Sequence, residues 1–177
     1  IFATEGEAAL RDKETALLAE LTKSLRGKIL SVGGGTPVRE ENRRLLKQIG
    51  TVVYLRIRPE TVYERLQGDN TRPLLQCENP LERIRALMEQ RKDLYEDAAD
   101  IIIDVDGLDM EEVSAEILAK WKKKKRGRKE QKKMKILVIN GPNLNFLGIR
   151  EKSVYGTQDY NYLLKLIEDK GQKEGHD

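Results

Sequence analysis

Three consecutive glycines and a set of four arginines give this chain its first candidate site. The glycines follow a short apolar stretch, and because they lack Cβ atoms a small ligand can approach the backbone amides there. Arginine guanidiniums supply forked, permanently charged donors that suit carboxylate and phosphate groups. The residues concerned are Gly33, Gly34, Gly35, Arg11, Arg65, Arg72 and Arg91. They favour a site for an anionic substrate and a phosphate-rich cosubstrate, although a permissive turn and ordinary surface arginines would show the same pattern.

A second candidate site combines an amide, a guanidinium and a phenol in the loop that follows the apolar stretch 135–140. The three residues are Asn143, Arg150 and Tyr155. A phenol with a pKa of about 10 is a weak base at neutral pH, but a neighbouring guanidinium favours the phenolate and makes proton abstraction feasible. A polar surface loop without a catalytic role is the alternative interpretation.

The elements that would position these residues alternate between strands and helices. The pattern predicts strands at 28–32, 51–57 and 100–105, and helices at 6–25, 38–48, 59–66, 80–98 and 109–121. The polar segment 67–79, which contains Arg72, is broken by glycine and proline and is predicted to be a functional loop. Strands that alternate with helices imply βαβ units, so we expect an α/β fold with a parallel sheet and flanking helices.

A strongly basic run at 121–135 divides the chain. It holds 10 Lys and Arg residues and a single Glu, while the whole chain carries a formal net charge of +3. After it, a strand at 135–140, a loop at 141–157 and a helix at 159–172 make a single β-loop-α unit. Such a unit is too small to build a core of its own. We therefore expect a domain at 1–120, a solvated linker at 121–133 and part of a second domain at 134–177.

The composition excludes several classes of protein. The 177 residues include a single cysteine, Cys77, which rules out an intramolecular disulfide. No apolar stretch approaches the roughly 18 residues that a membrane helix needs, and the first residues lack the features of a signal peptide. We expect a cytoplasmic protein without a membrane partner. Because an initiator Met is also absent, the chain is expected to begin within a domain.

Several motifs along residues 1–120 resemble those of shikimate kinase. They are Ile1-Phe2-Ala3-Thr4-Glu5-Gly6-Glu7, Leu10-Arg11-Asp12-Lys13-Glu14, Ser31-Val32-Gly33-Gly34-Gly35-Thr36-Pro37, Asn70-Thr71-Arg72-Pro73-Leu74-Leu75 and Arg91-Lys92-Asp93-Leu94-Tyr95. The resemblance implies a P-loop-kinase-like fold with a central parallel sheet. It also implies transfer of the γ-phosphoryl group of ATP to the 3-hydroxyl of shikimate, with Mg²⁺.

The same resemblance implies roles for the first candidate site. Arg11 and Arg91 would hold the shikimate carboxylate, and the backbone of residues 33–35 would contact the substrate ring. Arg72 would reach the transferring phosphates from a mobile lid, and Arg65 would lie along the adenine of ATP. Phosphoryl transfer depends mainly on such positioning and charge neutralisation.

One expected element is missing from the chain. The stretch Gly-x-x-x-x-Gly-Lys-Ser/Thr, which cradles the phosphates of ATP and helps to hold Mg²⁺, does not occur in the sequence. The resemblance therefore implies that the N-terminal strand and the main binding elements for ATP and Mg²⁺ lie upstream of Ile1. We accordingly expect the chain by itself to be inactive.

The segment 140–156 resembles the N-terminal part of type II 3-dehydroquinate dehydratase. Its sequence is NGPNLNFLGIREKSVYG, and the resemblance extends over residues 134–175. It implies a flavodoxin-like domain that removes water from 3-dehydroquinate without a cofactor. Tyr155 would be the base, Arg150 would activate it, and Asn143 would help to orient a water at the enolate. The histidine general acid is expected beyond Asp177.

Together the two resemblances predict a fragment of a bifunctional enzyme of the shikimate pathway, which leads to aromatic amino acids. Its expected partners are shikimate and 3-dehydroquinate, and a complete dehydratase domain implies a homo-oligomer. Two alternatives are another small-molecule P-loop kinase, for gluconate or a nucleotide, and a nucleic-acid-binding protein that uses the basic run. Two arginines suited to a carboxylate count against the first, and the lack of a folded reader motif counts against the second.

Overall fold

The computed structural model describes residues 2–25, 28–66, 77–126, 136–140, 165–167 and 169, which form a parallel α/β fold. Its elements are α1 Phe2–Ser24, β1 Ile29–Val32, α2 Glu40–Ile49, β2 Thr51–Arg56, α3 Pro59–Leu66, α4 Pro80–Ala98, β3 Ile101–Asp104, α5 Met110–Arg126 and β4 Ile136–Asn140. A 3₁₀ turn at Thr36–Val38 precedes α2, and residues 165–167 and 169 are helical. The strands are parallel, in the order β1-β4-β2-β3.

The predicted helices and strands are present through most of the described chain. Helix α4 has the predicted ends: the Asn79 side chain accepts a hydrogen bond from Glu82 N–H at 3.3 Å, and Pro80 lies in the first turn, where no N–H is needed. Helix α1 differs from its prediction, since it begins at Phe2 and is kinked at Gly6, whose φ is 83°. Glycine adopts this left-handed conformation without steric cost.

Helices bury both faces of the sheet. Val53 and Leu55 of β2 join one apolar cluster with residues of β3, α3 and α5, whereas Val52 joins a second cluster with residues of α1 and α2. Successive strand residues project to opposite faces, which explains this division. Covered on both sides, the strands carry nearly continuous apolar sequences. Among the helices that the structure describes, none is long and apolar enough to cross a membrane.

Strand β4 lies inside the sheet. Residues 136–139 pair in parallel register with β1 on one side and with β2 on the other. The sequence pattern assigns this strand to a unit apart from residues 1–120, so its position differs from the expectation. An isolated strand cannot satisfy its backbone groups, whereas the interior of an existing sheet pairs both of its edges.

Helix α5 continues into the basic run, to Arg126, and does not stop at Trp121 as the sequence predicts. Its last turns are held at the start of the sheet, because Lys124 Nζ contacts Asp100 Oδ1 at 2.5 Å. The other carboxylate oxygen of Asp100 accepts a hydrogen bond from Val52 N–H at 3.0 Å. The first residues of the basic run, up to Arg126, are therefore helical, and Lys124 is anchored at Asp100.

Replacing Lys124 with Ala is expected to lower the free energy of unfolding by about 1 kcal/mol, because its half-buried pair with Asp100 is lost. Lys123→Ala is the matched control, since Lys123 is the adjacent residue of the same helix and is exposed. Urea unfolding followed by circular dichroism measures both variants. An equal loss of stability in the two would contradict the anchoring role of Lys124.

Candidate substrate-binding site

The candidate site lies at the carboxyl end of β1, where the three glycines lead into the 3₁₀ turn. Thr36 N–H donates a hydrogen bond to the Gly33 carbonyl at 3.0 Å and closes a tight turn. In parallel α/β sheets this is the edge at which loops present their backbone groups to ligands. The glycines therefore lie where a small molecule can reach them.

Arg11 extends from α1 to this glycine run. Its guanidinium occupies the volume that a side chain at position 35 would take, since a Cβ built on Gly35 would overlap the terminal atoms of Arg11. The lack of a side chain at Gly35 is what allows Arg11 to lie against the backbone. Gly33 is different, because a Cβ at that position would meet nothing within 4 Å.

Two carboxylates hold the Arg11 guanidinium. Glu14 accepts a hydrogen bond from Nη1 at 2.7 Å, and Glu7 accepts one from Nη2 at 3.1 Å. Burial alone would lower the pKa of Arg11, but the hydrogen bonds and charges of these carboxylates outweigh it, and the pKa is raised. Glu14 also accepts a hydrogen bond from Thr36 Oγ1 at 3.1 Å, which ties α1 to the turn after the glycines.

A buried amide supports this region from α2. The Asn42 side chain is fully buried, and its Nδ2 donates to the Thr36 carbonyl at 2.9 Å. Its Oδ1 accepts a hydrogen bond from the Thr15 hydroxyl at 2.7 Å. Both ends of the amide are thus satisfied inside the protein, as a buried polar group requires. The resulting network fixes α1, α2 and the turn relative to one another.

Tyr95 and Arg91 approach the glycines from α4. The Tyr95 side chain is buried, and its hydroxyl donates a hydrogen bond to the Gly34 carbonyl at 2.7 Å. Burial raises the pKa of Tyr95, while a hydrogen bond from Arg91 and the charge of Arg11 act in the opposite direction. The Tyr95–Gly34 hydrogen bond brings α4 to the end of β1, where Arg11 of α1 also lies.

This arrangement suits a small carboxylate. Arg11 lies against backbone without side chains, and Arg91 precedes Tyr95 by four residues on α4. Each guanidinium can offer paired N–H donors to a planar anion. Glu7 is the carboxylate that a ligand would most easily replace at Arg11, since its side chain is 60% exposed and that of Glu14 is 26% exposed. A bound carboxylate can take the place of Glu7 while the Glu14 pair is kept.

Five further residues are predicted site residues, and the structure describes one of them, Arg65. Arg65 lies in the last turn of α3, the helix that follows β2. Four predicted site residues fall outside the part of the chain that the structure describes, and their roles stay predictions. They are Arg72, Asn143, Arg150 and Tyr155.

Comparison with known proteins identifies the family to which the chain belongs. Residues 1–122 match the family model described as Shikimate kinase. The chain belongs to the shikimate kinase family. Residues 134–177 match a second family model, described as Dehydroquinase class II. Both resemblances seen in the sequence are thereby confirmed.

Curated relatives are shikimate kinases that this chain covers in part. The shikimate kinase of Nitrosococcus oceani is 41% identical over 132 residues, which are 75% of this chain and 69% of the relative. The shikimate kinase of Cupriavidus pinatubonensis is 48% identical over 104 residues, which are 59% of this chain and 54% of the relative. The chain therefore spans between 54% and 69% of the length of these two relatives.

Solved shikimate kinases share the fold. The match to the enzyme from Acinetobacter baumannii, solved in complex with shikimate, has a TM-score of 0.61 at 36% sequence identity. This match covers 72% of this chain and 70% of the chain of that enzyme. The match to the enzyme from Bacteroides thetaiotaomicron has a TM-score of 0.58 at 26% sequence identity. It covers 70% of this chain and 72% of the chain of that enzyme. The expected fold class, a P-loop-kinase-like parallel sheet with flanking helices, is confirmed.

Tyr95 and Glu14 belong to the shikimate kinase motifs, but sequence reasoning assigns neither of them a role in the site. Helical spacing is the signal that points to them, because Tyr95 follows Arg91 by four residues and Glu14 follows Arg11 by three. Spacing does not reveal that the Tyr95 hydroxyl binds the carbonyl of Gly34. That contact joins residues 61 positions apart in the chain.

The described residues do not include a complete site for the ATP and Mg²⁺ that the shikimate kinase family implies. Among them, no three His, Cys, Asp or Glu side chains are grouped so as to hold a metal ion. The sequence also lacks the phosphate-cradling motif. Binding of an anionic substrate is the chemistry that Arg11 and Arg91 offer, and no step of phosphoryl transfer is assigned to these residues.

Tyr54 lies next to the site, on β2. Its ring centroid is 5.2 Å from that of Tyr95, and the two rings are tilted by 50°. Burial raises the pKa of Tyr54 to about 12, and the neighbouring Tyr95 acts in the same direction. Tyr54 also lines a cavity of about 590 Å³ beside the carboxyl ends of β2 and β3.

Stability at alkaline pH is expected to depend on Tyr54. Its folded-state pKa of about 12 lies above the ordinary value of 10.0, so the unfolded chain loses the phenolic proton first. The buried Tyr54 phenol contributes fully to the free energy of unfolding below pH ~10. This contribution is lost as the pH rises towards 12, and the free energy of unfolding falls by up to about 1.4 kcal/mol per pH unit. Urea unfolding between pH ~8 and pH ~11 should therefore show a steeper loss for the wild type than for Tyr54→Phe.

Tyr63→Phe is the control for this comparison, because Tyr63 packs at the margin of the core and is only partly buried. It should follow the wild-type profile. Identical profiles for the wild type and Tyr54→Phe would contradict the role given to Tyr54.

Proposed function

We propose that residues 1–122 form the shikimate-binding part of an ATP-dependent shikimate kinase, which converts shikimate to shikimate 3-phosphate. The observation that carries this proposal is the placement of Arg11 against the side-chain-free backbone at Gly35, next to the Tyr95–Gly34 hydrogen bond that brings α4, the helix of Arg91, to the same turn. Shikimate presents one carboxylate and a nearly flat ring bearing hydroxyls. A pair of guanidiniums beside bare backbone complements those two features.

The arginines would bind and orient the substrate. Arg91 and Arg11 would hold the carboxylate, and residues 33–35 would lie against the ring. Fixing the carboxylate orients the hydroxyls at the opposite side of the ring, and such positioning is a large part of catalysis in phosphoryl transfer. The complex of the Acinetobacter baumannii enzyme with shikimate supports this choice of substrate.

ATP, when bound, supplies the phosphoryl group that shikimate receives. Arg72 is assigned to the transferring phosphates and Arg65 to the adenine, as the shikimate kinase motifs imply. Because the phosphate-cradling motif is absent from the sequence, binding of shikimate and not turnover is the measurement suited to this chain.

Residues 134–177 are assigned to a second activity, the dehydration of 3-dehydroquinate to 3-dehydroshikimate. The match to Dehydroquinase class II supports this assignment. Tyr155 would remove a proton, Arg150 would favour its phenolate form, and Asn143 would orient a water. Both reactions act on small polar acids of one biosynthetic route, and we place the bifunctional enzyme in the cytoplasm, with a homo-oligomer formed by a complete dehydratase domain.

Arg91→Ala is expected to weaken the binding of shikimate by about 10- to 100-fold, since a charged hydrogen bond to the carboxylate contributes about 1.5–3 kcal/mol. Arg83→Ala is the matched control, because Arg83 is an exposed arginine of the same helix. Isothermal titration calorimetry gives both dissociation constants. The methyl ester of shikimate, which lacks the anionic carboxylate, should bind the wild type and Arg91→Ala equally weakly.

Equal affinities of Arg91→Ala and Arg83→Ala for shikimate would exclude Arg91 as a carboxylate ligand. Binding of the methyl ester with the affinity of shikimate itself would exclude a carboxylate-specific site altogether.

Gly35→Ala should abolish shikimate binding with little change in stability. The new methyl group displaces the Arg11 guanidinium, which lies at the end of a flexible side chain and can move at a cost below about 1 kcal/mol. Gly33→Ala is the control, because its methyl group enters open space. Calorimetry with shikimate and urea unfolding are to be run on both variants. Retention of full affinity by Gly35→Ala would contradict the placement of the substrate against Arg11.

A further inference from the structure

A closed ring of contacts joins the Arg11 guanidinium to the main chain of the same residue. On one side, the guanidinium donates to one carboxylate oxygen of Glu14, and the Thr36 hydroxyl donates to the other. On the other side, the Thr15 hydroxyl lies 2.9 Å from the Arg11 carbonyl oxygen and 2.7 Å from Asn42 Oδ1, so its one proton can be donated to either acceptor. Asn42 Nδ2 closes the ring, since it donates to the Thr36 carbonyl at 2.9 Å.

Two members of this ring are buried. Thr36 has 3% of its surface exposed and Asn42 has none. A buried polar network whose hydrogen bonds are all made specifies one arrangement, whereas removal of one partner leaves the other unsatisfied at a site that water does not reach. The ring therefore holds α1, α2 and the turn after the glycines in one relative placement.

Arg11 depends on the ring because its second anchor is weak. The Glu7 side chain is 60% exposed, and a bound carboxylate can replace it. Restricting a long arginine side chain costs conformational free energy at the moment of binding, unless the protein has already restricted it. Glu14 restricts the guanidinium only while its own carboxylate is fixed. Thr36 fixes that carboxylate, and Asn42 holds the main chain of Thr36.

The same ring bears on the glycine turn. Thr36 N–H donates to the Gly33 carbonyl at 3.0 Å, so the residue that Asn42 holds is also the residue that closes the turn. The guanidinium and the bare backbone are the two features assigned to the substrate. Both are therefore connected to one amide on α2.

We propose that Asn42 and Thr15 are positioning residues of the shikimate site. Asn42 is fully buried and does not reach a ligand, so it acts through Thr36 and Glu14 on the guanidinium of Arg11. Thr15 acts through Asn42. Together they set the orientation of the guanidinium before the substrate arrives, which raises the affinity for the carboxylate. The inference rests on the proposed binding of shikimate.

Asn42→Ala is expected to weaken the binding of shikimate about tenfold, since a misplaced guanidinium loses a charge-assisted hydrogen bond to the carboxylate. The methyl ester of shikimate should bind the wild type and Asn42→Ala alike, because it forms no ionic contact with Arg11. Calorimetry measures both ligands at a temperature at which urea unfolding shows that the variant is folded. Equal weakening for shikimate and its ester would indicate a purely structural role and overturn the proposal.

Ser114→Ala is the control for lost stability. Ser114 is also fully buried, but it lies on α5, where its hydroxyl donates to the Glu111 carbonyl at 2.8 Å. Its removal should lower the free energy of unfolding and leave the affinity for shikimate unchanged. A loss of affinity in Ser114→Ala equal to that in Asn42→Ala would remove the special role of Asn42.

Thr15→Val tests the ring at its partly buried side and keeps the shape of the side chain. Thr22→Val is the matched control on α1, because the Thr22 hydroxyl donates to the Ala19 carbonyl within the helix. Thr15→Val should weaken shikimate binding about threefold, the effect of one net hydrogen bond, and Thr22→Val should not. Equal affinities of these two variants would exclude Thr15 from the positioning role.

The Arg11 guanidinium can also be observed without a ligand. Its nitrogen NMR signals, assigned with the help of Arg11→Lys, report the rate of rotation about the Nε–Cζ bond. This rotation should be slow in the wild type and in Ser114→Ala, and faster in Asn42→Ala. Failure of the wild type to bind shikimate would contradict the proposed function. Unchanged rotation in Asn42→Ala would instead overturn the positioning role itself.

Discussion

Backbone pairing on both sides of β4 is the constraint on which the rest of this structure depends. A parallel strand has unsatisfied N–H and C=O groups along each edge, and an apolar interior cannot tolerate them. β1 reaches the sheet through β4, which is its neighbour in the strand order, while β2 and β3 lie on the other side. The position of β1, and of the glycines that follow it, is thus set by a strand from the far end of the chain.

The geometry of the candidate site at Arg11 and the glycine turn depends on this strand arrangement. Arg11 lies where it does because Gly35 has no side chain and because Glu14 connects α1 to Thr36. From the other direction, α4 brings the Tyr95 hydroxyl to the Gly34 carbonyl. The candidate site is therefore a junction of three elements around one turn.

The pairing of β4 also bears on the second region of the chain. A strand has two edges, and both edges of residues 136–139 are used by β1 and β2. The same residues cannot pair at that moment with strands of a sheet related to Dehydroquinase class II. The dehydration proposed for residues 134–177 and the continuous kinase-related sheet therefore require different pairings of one segment.

In the basic run, Lys124 stabilises the position of α5, since it holds the end of this helix beside the sheet.

The sequence by itself determined the α/β class, the ends of α4, the family motifs and the candidate residues Arg11, Arg91 and the glycines, because periodicity and short motifs are local properties. It did not determine that α5 passes Trp121 to Arg126, since the contact of Lys124 with Asp100 spans 24 positions. Nor did it place β4 between β1 and β2 or join Tyr95 to Gly34. Only the tertiary structure decided these points, because long-range pairing depends on which backbone edges and apolar faces remain to be covered once the local elements have formed.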